Sequence, residues 1–234
     1  MKSKITLQAL LATAALGAGA SAHANLLTNG SFELGTFTNQ GNVTQTFTAG
    51  ATTMTGWTTV GNFVSWIGAA NPFGLSAQNG SFFLDLTGYQ AGAPFGGVRQ
   101  SVATTAGQQY VLSFYLGSRT DIWGGPPVSI VGSAGGTTQI FTDSAPHNSS
   151  TWTLENLVFT AGPGNSTVIT LTGAAGVNYI GLDNVDVECA NANGCAGSTS
   201  VPEPATLSLL GLGMAGLGIA RRRRITSESR ATRQ

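Results

Sequence analysis

The sequence feature that most constrains the fold is an alternation of apolar and other side chains with a period of two residues. Its clearest example is the segment 108–117, one face of which carries Tyr110, Leu112, Phe114 and Leu116. Over residues 25–200 no apolar pattern keeps the 3.6-residue period of a helix for two turns. The body of the chain is therefore predicted to consist of β-strands.

Further segments of strand-like composition are separated by turn-forming residues such as Gly162-Pro163-Gly164. These predicted strands are 43–49, 61–67, 81–86, 97–102, 128–132, 137–142, 151–160, 167–172 and 178–188. About ten short strands with such turns predict an all-β fold, a single antiparallel β-sandwich or jelly roll. Because they lie in or beside these strands, three tryptophans are assigned to its core: Trp57, Trp66 and Trp152.

The N-terminus has the composition of an export signal. Lys2 and Lys4 precede an apolar run over 5–20, which is followed by Ala22-His23-Ala24, a small-x-small cleavage site. The sequence therefore predicts a signal peptide over residues 1–24.

The C-terminal segment combines prolines, an uncharged run and a basic cluster. Pro202 and Pro204 disfavour helix at the residues before them, so a single hydrophobic helix is predicted only over 205–220. That run makes about 24 Å of helix, slightly short of a ~30 Å hydrocarbon core. Arginines after it are costly to bury in a bilayer and favour a positive-inside orientation; they are Arg221, Arg222, Arg223 and Arg224. We expect the helix in the inner membrane, the body outside the cytoplasm and 225–234 as a cytoplasmic tail.

Pro202, Glu203 and Pro204, the apolar run and the arginine cluster together resemble the sorting tail called PEP-CTERM, over residues 201–224. Members of that class are exported by exopolysaccharide-producing Gram-negative bacteria and processed by a membrane enzyme called exosortase. The resemblance implies an exosortase-type partner and release to the cell surface or extracellular matrix. Residues 225–234 depart from the family, whose members usually stop soon after the basic cluster. A permanent anchor is the alternative, because its hydropathy and charge would be the same.

The part of the chain between signal and tail is acidic. Over residues 25–204 two basic residues, Arg99 and Arg119, stand against nine acidic ones, a formal charge of 2 − 9 = −7. This balance argues against nucleic acid as a partner, because affinity for phosphates comes mainly from basic side chains. Residues 25–188 suit one sandwich domain with a sizeable core.

Cys189 and Cys195 are the only cysteines, and export would place them in an oxidising compartment. We predict a local disulfide within a linker over 189–200. A metal pair or two free thiols are the alternatives, although no neighbouring histidine completes a zinc site.

The predicted sandwich carries a second resemblance. Residues 25–33 and 179–187 resemble the first and last strands of galactose-binding-like jelly rolls, which include several families of carbohydrate-binding module. Residues 82–88, 97–101 and 106–114 resemble the related choice-of-anchor domains that precede such sorting tails. The resemblance covers nearly the whole body and implies the fold rather than a particular ligand.

In those modules, the positions of Glu33 and Asp183 help to hold a structural calcium ion, which takes about six to eight oxygen ligands. The resemblance therefore implies a Ca²⁺ site at these two residues. The alternative is that Glu33 is a surface residue and Asp183 forms a turn. The apolar alternation within 178–188 shifts beside Asp183, which indicates a bulge.

Aromatic side chains in loops are the best candidates for ligand binding, because the apolar faces of sugars stack on aromatic rings. Trp123 and Tyr89 lie in loops between predicted strands. With polar neighbours they form a predicted glycan patch: Trp123, Tyr89, Asp121, Arg119 and Gln90. The alternative is that Trp123 closes one end of the sandwich core.

Catalytic signatures are weak in this sequence. His147 is the only histidine besides His23, lies in a segment composed like a solvated loop, and accompanies no Gly-x-Ser-x-Gly nucleophile elbow. Asp85 interrupts an apolar strand, so a structural hydrogen-bonding role is favoured for it over a catalytic one. We predict an exported, non-catalytic extracellular protein associated with exopolysaccharide or biofilm matrix. The alternatives are a structural matrix protein without sugar affinity and a glycan hydrolase or lyase.

Overall fold

The computed structural model describes residues 25–90, 92–119, 127–147, 149–191 and 195. This part of the chain contains eleven strands and no helix. The strands are β1 Thr44–Phe47, β2 Thr58–Gly61, β3 Val64–Gly68, β4 Phe82–Asp85, β5 Gly96–Ala103, β6 Gln109–Ser118, β7 Val128–Ala134, β8 Thr137–Asp143, β9 Thr151–Thr160, β10 Ser166–Ala175 and β11 Gly181–Cys189. The predicted signal peptide and the predicted hydrophobic helix lie outside the described residues. Among the residues that are described, we find no helix of the length and apolar character needed to cross a membrane.

The strands form two antiparallel sheets packed as a sandwich. One has six strands in the order β1-β3-β4-β11-β6-β9, and the other has five in the order β2-β5-β10-β7-β8. The predicted all-β antiparallel sandwich is confirmed. The predicted strand over 61–67 corresponds to β3, and β2 was not predicted because its sequence, Thr-Thr-Val-Gly, has little apolar signal. Gly61, with a backbone φ of 71°, instead turns the chain from β2 in one sheet to β3 in the other.

Tryptophans anchor the N-terminal segment to the core between the sheets. Trp57 and Trp66 are each 1% exposed, as predicted. The Trp57 indole donates to the carbonyl of Asn29 at 2.8 Å, and the Trp66 indole donates to the carbonyl of Phe32 at 3.0 Å. Phe32 is itself fully buried. Each indole N–H is thus satisfied inside the core.

Trp152 does not belong to that core, so its assignment there is wrong. It is half-buried on the outer face of the six-stranded sheet, against a second apolar cluster. The members of this cluster, here called the outer cluster, are Ile67, Phe73, Leu75, Ala77, Phe83, Trp152 and Tyr179. The error has a simple cause, because successive residues of a strand face opposite sides and only one side faces the other sheet.

The N-terminal segment lies beside β11. The amide of Leu26 donates to the carbonyl of Val187, and the amide of Val185 donates to the carbonyl of Gly30, both at 2.9 Å. The register of β11 against β6 shifts between Asp183 and Asp186, so the predicted bulge is present. A disulfide joins Cys189 at the end of β11 to Cys195, with their Cα atoms 5.6 Å apart.

Candidate functional site

The outer cluster is covered by the segment between β3 and β4, residues 69–81, which we call the covering loop. Asn71 fixes its conformation from within. The Asn71 amide nitrogen donates to the carbonyls of Gly68 and Leu75, both at 2.9 Å, and its side-chain oxygen accepts the amides of Phe73 and Leu75. One 9% exposed side chain thus makes four hydrogen bonds inside the loop.

Side chains from distant parts of the chain hold the covering loop against the sheet. The Arg119 guanidinium donates through Nη1 to the carbonyls of Phe73 and Gly74, at 2.9 and 2.8 Å. The Trp152 indole donates to the carbonyl of Ser76 at 3.0 Å. A long loop pinned at several points is characteristic of compact functional loops rather than of flexible connections.

A cavity of about 180 Å³ opens beside the covering loop, and we call it the outer cavity. Its described lining residues are Ile67, Phe73, Leu75, Asp85, Tyr89 and Asn178. The rings of Phe73 and Tyr89 form one corner, with centroids 5.8 Å apart and planes tilted by 57°. Tyr89 is 39% exposed, so its ring is partly open to solvent. The cavity therefore combines an accessible aromatic wall with a small number of polar groups.

Tyr89 has an unusual backbone conformation, with a φ of 68°. A bulky residue rarely adopts this left-handed region. Its amide donates to the hydroxyl of Thr87 at 3.1 Å, and the neighbouring carbonyl of Gln90 accepts the amide of Asn178 at 3.2 Å. The contact between Gln90 and Asn178 joins the loop after β4 to the loop before β11 at the cavity. Burial raises the pKa of the Tyr89 hydroxyl.

Asp85 lies on β4 at the base of the outer cavity and is 1% exposed. Its Oδ1 accepts the amides of Thr87 at 2.9 Å and Ile180 at 3.0 Å, and the Thr87 hydroxyl lies 2.9 Å from both carboxylate oxygens. Burial raises the pKa of Asp85 to about 6, although the amides of Ile180 and Thr87 oppose that shift. The predicted hydrogen-bonding role of this residue is thus present in the structure.

The raised pKa of Asp85 makes stability depend on pH. Between its usual pKa of 3.8 and the folded value of about 6, the native state holds the proton more tightly than the unfolded chain does. The stabilisation is therefore complete below about pH 4 and lost as pH rises through about 6, by up to roughly 3 kcal/mol. We expect urea unfolding of Asp85→Asn to show a smaller decline than the wild type, because asparagine does not titrate and only the contribution of Asp183, whose pKa is also raised, remains. An equal decline in both proteins would contradict the assignment.

Glu33 and Asp183 bind the C-terminal end of the covering loop. Glu33 accepts the amides of Ser81 and Phe82 through Oε1, at 2.8 and 2.7 Å. Asp183 accepts the amides of Gln78 and Asn79 through Oδ2, at 2.8 and 2.9 Å. The structure thus brings together the two residues predicted to share a calcium site.

Burial raises the pKa of Asp183 to about 7, and the negative charge of Glu33 adds to that rise. Among the described residues no group of three or more His, Cys, Asp or Glu side chains is placed to hold a metal. A calcium ion would therefore need carbonyl or water oxygens in addition to this pair. The pair fits such an ion, because its oxygens are hard donors and a divalent cation would offset the repulsion between them.

The predicted glycan patch is partly assembled. Tyr89 lines the outer cavity, Gln90 is joined by its carbonyl to Asn178, which also lines it, and Arg119 holds the loop that forms its wall. Trp123 and Asp121 lie outside the described residues. Sequence reasoning missed the lining residues Phe73 and Asn178. A phenylalanine in a polar loop was the available signal for Phe73, whereas nothing in the sequence marked Asn178.

His147 is more constrained than a solvated loop residue. Its Nε2 lies 2.7 Å from Oδ2 of Asp143, and the hydroxyl of Ser118 donates to the same oxygen at 2.7 Å. In a catalytic triad the histidine lies between the serine and the acid. Here Asp143 lies between Ser118 and His147, so its hydrogen bonds join the ends of β6 and β8 and no described histidine is placed to activate the serine.

Solved structures similar to this chain include three carbohydrate-binding modules. The structure of TmCBM61 in complex with β-1,4-galactotriose has a TM-score of 0.47 and 18% identity, over 71% of this chain and 99% of that one. A family 35 carbohydrate binding module from Clostridium thermocellum has a TM-score of 0.38 and 13% identity, over 63% and 92%. The CBM22-1 xylan-binding domain of Paenibacillus barcinonensis Xyn10C has a TM-score of 0.38 and 19% identity, over 63% and 93%.

No curated protein matches the chain in sequence. Two protein families do. The PEP-CTERM protein-sorting motif matches residues 200–224, which confirms the identification of the tail. The family described as "Protein of unknown function (DUF642)" matches residues 25–177, which include ten of the eleven strands. The chain therefore belongs to the DUF642 family and is an exported protein that carries a PEP-CTERM sorting motif.

Proposed function

We propose that this protein is a non-catalytic carbohydrate-binding protein of the cell surface or extracellular matrix, and that the outer cavity binds the sugar. Its natural ligand would be extracellular polysaccharide, because the resemblance of the tail to PEP-CTERM implies an exopolysaccharide-producing host. The observation that carries the proposal is the cavity itself, where the rings of Phe73 and Tyr89 stand beside Asp85 and Asn178. Aromatic faces with a few fixed polar groups are the usual means by which proteins bind sugars.

The same cavity argues for binding without turnover. Glycoside hydrolysis needs two carboxyl groups about 5–10 Å apart. Asp85 is the sole carboxylate among the described residues that line the cavity, and its oxygens accept hydrogen bonds from Thr87 and Ile180. The roles available to the cavity are therefore to bind and to orient.

For the calcium site, the proposal is that Glu33 and Asp183 hold a structural ion that fixes the covering loop. Support comes from the hydrogen bonds that both carboxylates accept from the amides of residues 78–82, and from the raised pKa of Asp183. The measurement is calorimetric titration of calcium into chelator-treated protein, in parallel with Asp183→Ala. Equal calcium uptake by the two proteins would overturn the site.

The PEP-CTERM motif leads us to propose processing by an exosortase-type enzyme and later release from the inner membrane. The match over residues 200–224 supports recognition of the tail by that machinery. Mass spectrometry of the protein recovered from the medium and from the membrane tests the step. A membrane-bound protein that keeps its full C-terminus would indicate a permanent anchor.

Replacing Tyr89 with alanine is expected to weaken sugar binding by about five- to thirtyfold, because loss of a stacked ring costs about 1–2 kcal/mol. Calorimetry with the exopolysaccharide of the producing organism would measure the change on the full chain in mild detergent. The matched control is Tyr115→Ala, which removes a half-buried tyrosine of β6 that is not among the described lining residues of the cavity. Trp123→Ala, in the same series, tests the predicted contribution of Trp123.

Two outcomes would contradict this placement of the site. Unchanged affinity in Tyr89→Ala would move any sugar site away from the outer cavity. A folded wild-type protein that binds no sugar at all would favour the structural alternative, in which the domain contributes bulk and anchoring to the matrix.

A further inference from the structure

Resting on the proposed function, we infer that the outer cavity recognises a single uncharged sugar ring at the end of a glycan chain. Internal segments of a polysaccharide and acidic sugars are excluded by the same geometry. Three properties of the cavity carry the inference: its volume, its closed base and the charge of its lining.

The volume admits one six-membered ring. Cavities of about 150 Å³ in other proteins take up one benzene molecule. The outer cavity, at about 180 Å³, has room for one such ring and a few substituents. A disaccharide needs about twice that space, so only one sugar unit of a chain enters.

The base and one side of the cavity are closed. Ile67 and Asp85 belong to β3 and β4, so the hydrogen-bonded sheet itself forms the base. Phe73 and Leu75 belong to the covering loop, which the Asn71 hydrogen bonds hold in one conformation. The closed base and side favour entry of a terminal ring, because an internal unit needs an opening on two opposite sides of the cavity for the chain to pass through.

The described lining offers no positive charge. Its ionisable residues are Asp85 and Tyr89, both of which become negative when they ionise. The nearby Arg119 guanidinium uses Nη1 to bind the carbonyls of Phe73 and Gly74. A uronic acid would bring its carboxylate next to Asp85, and no residue of the described lining carries a positive charge to balance it, so binding would cost affinity.

Asp85 also has an oxygen suited to a sugar hydroxyl. An ionised carboxylate offers about four acceptor positions. Oδ1 accepts two backbone amides, whereas the hydrogen bond to Oδ2 comes from the Thr87 hydroxyl. The amide of Tyr89 also acts on this carboxylate, which still leaves an acceptor position for a ligand. A neutral sugar can therefore donate a hydroxyl to Oδ2 while one face stacks on Tyr89.

The test is a set of calorimetric or saturation-transfer titrations of the full chain in mild detergent. The probes are methyl glycosides of galactose, glucose, mannose and N-acetylglucosamine, the matched methyl galacturonide and glucuronide, and linear di- and trisaccharides of the neutral sugars. We expect one neutral glycoside to bind with an affinity within threefold of its trisaccharide, and its uronide to bind at least tenfold more weakly. Asp85→Asn should reduce the difference between neutral and acidic forms, and Tyr89→Ala should weaken both.

The outcomes separate this inference from the proposed function. Affinity that rises tenfold or more with each added sugar would show that the protein binds internal units of a glycan chain in a groove. That result would overturn the inference and leave the proposed function of sugar binding intact. Tighter binding of a uronide would do the same. No binding of any saccharide would overturn the proposed function together with the inference. If Asp85→Asn fails to fold, the chain-length and uronide comparisons on the wild type still decide between these results.

Discussion

Replacing Asp183 with alanine is expected to lower the free energy of unfolding by about 3 kcal/mol in chelator-treated protein. Its carboxylate accepts three backbone amides, those of Gln78, Asn79 and Asn184. Each buried donor left without a partner costs about 1–3 kcal/mol, and relief from burying a charge returns part of the total. Thermal unfolding should record a midpoint lower by roughly 10 °C for a domain of this size.

Asp186→Ala is the matched control for this substitution. Asp186 is a half-buried acid on the same strand, and no described residue hydrogen-bonds its buried Oδ1. Its loss should therefore cost less than about 1 kcal/mol. A midpoint that falls equally in the two variants would mean that Asp183 does not hold the covering loop, and the calcium site proposed there would lose its structural basis.

Replacing Trp66 with alanine should have a still larger effect, about 4 kcal/mol, because it removes a fully buried indole. Trp66 packs against Phe37 and Phe82, with ring centroids 5.3 and 5.0 Å away, and its N–H satisfies the carbonyl of Phe32. The variant therefore loses a core side chain and leaves a buried carbonyl without its donor. Urea denaturation of the variant beside the wild type would measure the loss.

Trp152→Ala provides the comparison for Trp66→Ala, because it removes the same side chain from the outer face of the same sheet. Trp152 is only half-buried, so we expect a loss of about 1–2 kcal/mol. If Trp66→Ala does not fold, Trp66→Phe keeps most of the apolar volume and isolates the hydrogen bond, at about 1 kcal/mol. Similar losses in Trp66→Ala and Trp152→Ala would contradict the division into an inner core and an outer cluster.

Local patterns predicted the sandwich because each strand carries its own signal. The alternation over 108–117 reappears as β6, whose apolar residues Leu112 and Phe114 are fully buried. The pairing of Glu33 with Asp183 came from a family resemblance at the two ends of the domain, since nothing local connects residues 150 positions apart. In the structure both carboxylates accept hydrogen bonds from backbone amides of the covering loop.

The covering loop could not be predicted in the same way. Residues 69–81 have no periodicity, and the hydrogen bonds that fix them come from Asn71, Arg119 and Trp152, which are scattered along the chain. One local signal did exist. β4 contains the continuous apolar run Phe-Phe-Leu, and in β3 only Ser65 interrupts the run Val-Ser-Trp-Ile, which is typical of strands covered on both faces. That pattern indicates a cover over the sheet but does not say which segment supplies it or that a cavity forms beneath.

The course of β11 also determines how the domain is presented. The strand begins at Gly181, one residue after Ile180, whose amide binds Asp85 at the base of the cavity, and it ends at Cys189. Nine residues of strand span roughly 30 Å. The sorting motif follows β11 in sequence, so the base of the outer cavity and the C-terminal end of the last strand are separated by the length of that strand. If the chain is anchored through its C-terminus before release, the proposed sugar site would lie about one strand length from the point where the domain joins its tail.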